Sequence, residues 1–160
     1  YKDGTEEIYK NIRSHIDSTG NLCLLLDSMY TEYMEELNGL QREYRGYSDS
    51  FSGINIISNE FISDFLEGLG FRVVAKYSPG DDINAMEVKE TIRRGKEAGV
   101  VLVVDNLQSG IKVGRMIAEN LNASHAVISN FPKNNDYRGT LIENIESLKK
   151  SIVDRTERNQ

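Results

Sequence analysis

The chain has 160 residues, with 19 Lys and Arg against 25 Asp and Glu and a formal charge of −6. That length suits one domain able to bury a core without disulfides or metal to staple it. The acidic balance argues against a nucleic-acid surface, which needs a concentrated basic face.

A first helix is predicted over residues 5–17, with Thr5 as cap, early acids facing the positive end of the dipole, and Ile8, Ile12 and Ile16 every four residues. A longer helix is predicted over 21–46, because Leu22, Leu26, Met29, Tyr33, Leu37, Leu40 and Tyr44 recur at spacings of three and four. Cys23 is the single cysteine and has no internal disulfide partner; in the run Leu22–Leu26 it reads as a small buried thiol. Residues 46–53, rich in Gly and Ser, read as a loop.

After it the pattern alternates. Strands are predicted at Ile54–Ser58, Phe71–Tyr77, Val100–Val104 and Ala126–Ser129, with helices over 60–68, 84–98, 110–121 and 137–153. Strand–helix alternation with β-branched strands implies an α/β fold: a four-stranded parallel sheet flanked by helices, preceded by the long N-terminal helix. The half-doubly-wound pattern gives strand order 2-1-3-4. Gly70 and Gly99 stand where helices hand over to strands, as left-handed caps do. The expected organisation is two helices over 1–46, an α/β lobe over 54–153 and a polar tail over 154–160.

No apolar run approaches the roughly 20 residues that span a bilayer. The chain opens on Tyr1 without a signal-peptide pattern, so the expectation is a processed or truncated segment.

Ligands of such sheets bind beyond the carboxyl ends of the strands, here Ser58–Glu60, Tyr77–Asp82, Asp105–Ser109 and Asn130–Tyr137. Taken in order, these stretches resemble the C-terminal lobe of the zinc/manganese-type solute-binding proteins of ABC importers, the TroA-like family. Ile56-Ile57-Ser58-Asn59-Glu60-Phe61 is similar to that family's strand ending in Ser-His-Asp-Ala-Phe. Tyr77-Ser78-Pro79 is similar to its Ile-Ser-Pro loop, and Asn106-Leu107-Gln108 lies where Glu-Pro-Gln is usual. Asn135-Asp136-Tyr137 with Asn144-Ile145-Glu146-Ser147-Leu148 resembles the closing Asp-Ser/Thr-Tyr and Asn-Leu-Glu-Thr-Leu. The helix over 21–46 resembles the backbone helix joining the two lobes.

The resemblance implies an extracytoplasmic solute-binding component of a metal importer, partnered by an ABC permease and by an N-terminal lobe outside this chain. It places this lobe's metal ligands on Asn59 and Asn135. A neutral amide oxygen is a poor ligand for zinc or manganese. Glu60 and Asp136, one residue away, are the substitute candidates, and two carboxylates without imidazole imply at most a weakly bound divalent ion; their bland role is as early-helix acids facing the dipole. Asp81 and Asp82 read as turn residues. His15 and His125 are too far apart to form a recognisable pair and read as structural.

Catalytic signatures are missing: there is no Gly-x-Ser-x-Gly elbow, phosphate loop or Cys-x-x-Cys, so no enzyme is expected. The alternative to a transport component is a stand-alone interaction module, self-associating through the stripe of helix 21–46.

Overall fold

The computed structural model describes residues 2–16, 21–78 and 84–158. The chain falls into two compact units, residues 1–46 and 47–160.

The first unit is helical: α1 (Lys2–His15) and the greater part of α2 (Asn21–Phe51). Thr5 lies inside α1 rather than at its cap, because the helix begins at Lys2. The two helices are tied by a polar cluster. The Tyr9 ring stacks on Tyr30 at 3.9 Å, and the Tyr9 hydroxyl and Arg13 Nε both donate to Asp27 Oδ1, at 2.8 and 2.9 Å. Those two donors hold the Asp27 carboxyl below its ordinary range, the Tyr9 bond contributing most. Cys23 is buried as expected, with Arg13 Nη1 3.3 Å from its sulfur. Of the stripe read from the sequence, Leu22, Met29 and Tyr33 are exposed, as are Leu24 and Leu25 beside it, while Leu26, Leu37, Leu40 and Tyr44 are half-buried.

α2 continues to Phe51, through residues 46–51 that the sequence predicts as loop. The cause is tertiary: Phe51 is 1% exposed and stacks on Phe71 at 4.5 Å. Burial of that ring outweighs the weak helix propensity of the Gly and Ser around it.

The second unit carries the sheet. Its elements are β1 (Asn55–Asn59), α3 (Ser63–Gly68) after a 3₁₀ turn at Glu60–Ile62, β2 (Arg72–Tyr77), α4 (Ala85–Ala98) and β3 (Leu102–Asn106). A second 3₁₀ turn at Leu107–Ser109, α5 (Lys112–Leu121), β4 (Ser124–Ile128) and α6 (Tyr137–Arg158) complete it. All pairings are parallel and the order is β2-β1-β3-β4, as the sequence pattern predicts. α6 runs through most of the stretch expected as a polar tail.

Successive strand residues face opposite sides. Ile57, Ala75 and Val103 join Val88 of α4 and Ile117 and Ala118 of α5 in one core. α6 packs against β4, burying Leu141, Ile145 and Leu148. Gly99 ends α4 at φ 65°, and the Val100 N–H donates back to the Gly95 carbonyl at 2.9 Å. That left-handed cap turns the chain straight into β3.

Candidate functional site

The carboxyl ends of β1, β3 and β4 hold the positions that the sequence marks as ligands. Asn59 ends β1 and is fully buried. Its Oδ1, the atom that would face a cation, accepts the Phe61 N–H at 3.0 Å and caps the 3₁₀ turn. Its Nδ2 has no hydrogen-bond partner among the described residues. Glu60, next in the chain, is exposed on that turn.

Asn135 is a turn residue. Asn134 and Asn135 have φ of 53° and 60°, and the Asp136 N–H donates to the Lys133 carbonyl at 2.8 Å. Two positive φ angles inside such a bond define a type I′ turn, a conformation Asn tolerates better than other residues with a Cβ. Asp136 then caps α6: its Oδ1 accepts the Gly139 N–H at 2.8 Å, and its carbonyl accepts the Thr140 hydroxyl at 2.7 Å. Thr140 Oγ1 in turn accepts the Lys133 N–H at 2.8 Å, closing the loop on the helix.

β3 separates β1 from β4, so the ends of these two strands stand roughly 10 Å apart, two interstrand spacings. Between them lie amides and hydroxyls bonded to one another. Gln108 Nε2 donates to Ser129 Oγ at 2.7 Å, and Asn106 Nδ2 donates to Ser109 Oγ at 2.9 Å. Asn144 on α6 brackets Ser129, accepting its N–H at 3.0 Å and donating to its carbonyl at 2.8 Å.

Among the described residues, the donors at these positions are largely engaged in local hydrogen bonds. Of the two amide oxygens, one is spent on the backbone, and Asp136 has an oxygen committed to its own helix. Among the described residues, no three or more His, Cys, Asp or Glu side chains are grouped to hold a metal. Asp81 and Asp82 lie outside the described residues. The edge also exposes large apolar side chains: Phe61, Leu107, Phe131 and Tyr137, each more than half accessible.

A buried polar cluster lies on the α5 side of the same edge. Asp105 of β3 is fully buried; one carboxylate oxygen accepts the Tyr77 hydroxyl and the other is 2.7 Å from His125 Nε2. Gly114 of α5 closes over them: a Cβ there would overlap both the Asp105 carboxylate and the Tyr77 hydroxyl. Burial, then the Asp105 charge, pushes the Tyr77 hydroxyl far above its ordinary range. Sequence reading places His125 as structural but does not find its partner, because the pairing depends on strand register. His15, the other histidine, is exposed and bonds its own helix at the Asn11 carbonyl, 2.8 Å away.

No family model matches the chain, and no curated protein sequence matches it. Solved structures do. A metal-free periplasmic metal binding protein from Candidatus Liberibacter asiaticus, solved as a point mutant, superposes with a TM-score of 0.73 at 13% identity, over 92% of this chain and 58% of that one. The laminin-binding adhesin Lmb of Streptococcus agalactiae, also in a mutant form, gives 0.65 at 17% identity, over 92% and 56%. The solute-binding protein FpvC of Pseudomonas aeruginosa, solved with Ni2+, gives 0.67 at 12% identity, over 94% and 56%. The chain therefore has the fold found in these proteins and spans a little over half the length of each.

Proposed function

We propose that this chain is the C-terminal lobe and connecting helix of an extracytoplasmic solute-binding component of an ABC-type metal importer, with its own metal-ligand positions converted to structural amides. The observation that supports this most is the fold likeness, which takes in both the sheet and the helices over 92% of the chain at a TM-score of 0.73. Site chemistry modifies the reading. Asn59 and Asn135 stand where ligands are expected and both serve local backbone geometry, so this half supplies shape and a docking edge for a permease rather than strong donors. A divalent ion held through Glu60 and Asp136 is bound weakly, as two carboxylates without imidazole or thiolate predict. No helix among the described residues is long and apolar enough to cross a membrane.

The test is uptake. Deleting the gene in its own organism and following radiolabelled zinc, manganese and nickel should lower the uptake of at least one, restored by the wild-type gene. Normal uptake of all three overturns the importer role.

One observation favours the second reading, a non-catalytic interaction module. Leu22, Leu24, Leu25, Met29 and Tyr33 of α2 are each close to half exposed or more, and Ile8 and Ile12 of α1 with them. An apolar surface of that extent is costly to leave in water. Self-association through it predicts a dimer in sedimentation velocity at high protein concentration, dissociated by Leu25→Glu; a strict monomer counts against it.

A further inference from the structure

The turn from α5 into β4 reads Asn122-Ala123-Ser124, the Asn-x-Ser/Thr pattern, with x other than Pro, that accepts an N-linked glycan on secreted chains. Asn122 is the one asparagine of the chain with Ser or Thr two places on.

The fold asks different things of the two polar residues. Asn122 caps α5 in the left-handed region, at φ 50° and ψ 40°, with its N–H directed to the Ala118 and Glu119 carbonyls, and Asn adopts that conformation more readily than most residues with a Cβ. It is exposed. Ser124 opens β4, is 7% exposed, and donates its N–H to the Val101 carbonyl at 3.0 Å. Its hydroxyl is buried with no partner among the described residues. A buried hydroxyl left unpaired costs stability, and alanine would keep the backbone bond without that cost. The cap thus accounts for Asn122, whereas the fold has no use for the Ser124 hydroxyl; glycan transfer does, because it requires Ser or Thr at that position. An unpaired hydroxyl alone is not diagnostic, since Ser58 Oγ shares it. Its coincidence with an exposed Asn two residues earlier singles out this turn.

The strands are parallel, so the turns leading into them lie at the edge opposite their carboxyl ends, where Asn59 stands and from which the loop carrying Asn135 departs. A glycan on Asn122 therefore leaves the ligand edge of the sheet clear.

We propose that Asn122 is a site of N-glycosylation, an inference that rests on the extracytoplasmic reading above because the modification belongs to translocated chains. In the transfer, Asn122 Nδ2 forms a bond to the anomeric carbon of a lipid-phosphate-linked oligosaccharide. The anomeric C–O bond breaks, the lipid phosphate leaves with its electron pair, and Nδ2 gives up one proton to a base of the transferase. Because Ser124 is buried once β4 pairs with β3, its hydroxyl is read before that pairing closes.

The protein purified from its own organism tests this, through the mass of the tryptic peptide Met116–Lys133, which spans the turn. The wild-type peptide should carry the added mass of a glycan, Ser124→Ala should lose it, and Ser124→Thr should keep it. Made in a host without glycosylation, Ser124→Ala should melt no lower than wild type, so that loss of the glycan is not loss of the fold. An unmodified wild-type peptide from the extracytoplasmic fraction, or a modification that survives Ser124→Ala, overturns the site and leaves the extracytoplasmic reading standing. Recovery of the protein in the cytoplasmic fraction, unmodified, overturns that reading and the site with it.

Discussion

Asn59 and Asp105 are both fully buried in neighbouring strands, one residue beyond the paired Ser58 and Val104, yet they are kept polar in different ways. Asn59 turns its oxygen to its own chain, two residues on, and so serves the conformation of one return. Asp105 is held by residues far away in sequence, Tyr77 on β2 and His125 on β4, and so serves the assembly of the sheet. A buried amide can leave one donor unpaired, as Asn59 Nδ2 is among the described residues, at a cost of about 1–3 kcal/mol, whereas a buried carboxylate demands donors placed by the tertiary fold. Stability therefore rests with the Asp105 cluster and loop geometry with the amides.

The sharpest break is His125→Leu. It strips the buried carboxylate of a partner 2.7 Å away at a site where the imidazole is only 18% exposed. Urea unfolding should show a loss of about 3 kcal/mol or more, the upper end of the cost of leaving a buried polar group without its hydrogen-bond partner. A loss below about 1 kcal/mol, no more than an ordinary hydrogen bond, would put Asp105 in the same class as Asn59.

Tyr77→Phe should cost less, about 1.5–3 kcal/mol for a bond to a charged acceptor, and it carries a pH signature. The folded state raises the Tyr77 pKa above its unfolded value of about 10, so folding favours the protonated phenol. That contribution is fully present below about pH 10 and is lost as pH rises beyond it, because the unfolded chain then releases the proton while the folded chain retains it. Stability measured between about pH 8 and 11 should fall more steeply for wild type than for Tyr77→Phe. Equal slopes would mean that Tyr77 titrates alike in both states.

Among the amides, Asn135→Val should cost about 1–2 kcal/mol by forcing a β-branched residue to φ 60°, while Asn135→Gly should be tolerated. Thermal melts of the pair separate conformation from lost side-chain bonding, since both variants remove the amide.

These contrasts follow what local sequence can and cannot carry. The strands and their order are legible because β-branched runs alternate with amphipathic stretches, and that alternation admits few topologies. The end of α2 is not: residues 46–51 have the composition of a loop, and the Phe51–Phe71 contact, between residues far apart in the chain, explains their helix. The Asp105–His125 bond is likewise invisible, because it links residues 20 apart through the β3–β4 register. Two features could have been found. Asn134-Asn135 is a type I′ dipeptide by residue type, and Asn59 stands where an Asx cap opens a helical turn.

Asp136 gives the smallest stability effect and the test that bears most directly on metal binding. As a helix cap it should behave as caps do: Asp136→Ala loses about 1 kcal/mol, while Asp136→Asn, which keeps an acceptor for the Gly139 N–H, stays within a few tenths of wild type. As a metal ligand the order of effects differs, because an amide in place of a carboxylate loses the charge that a divalent ion requires. Calorimetric titration of zinc and of manganese into wild type, Asp136→Asn and Glu60→Gln compares the two roles in the same samples. Weak binding that the substitutions barely change, beside a melt that tracks capping ability, is the expected pair of results. A one-to-one site of submicromolar affinity abolished by either substitution would show that the carboxylates beside Asn59 and Asn135 had taken over the ligand role.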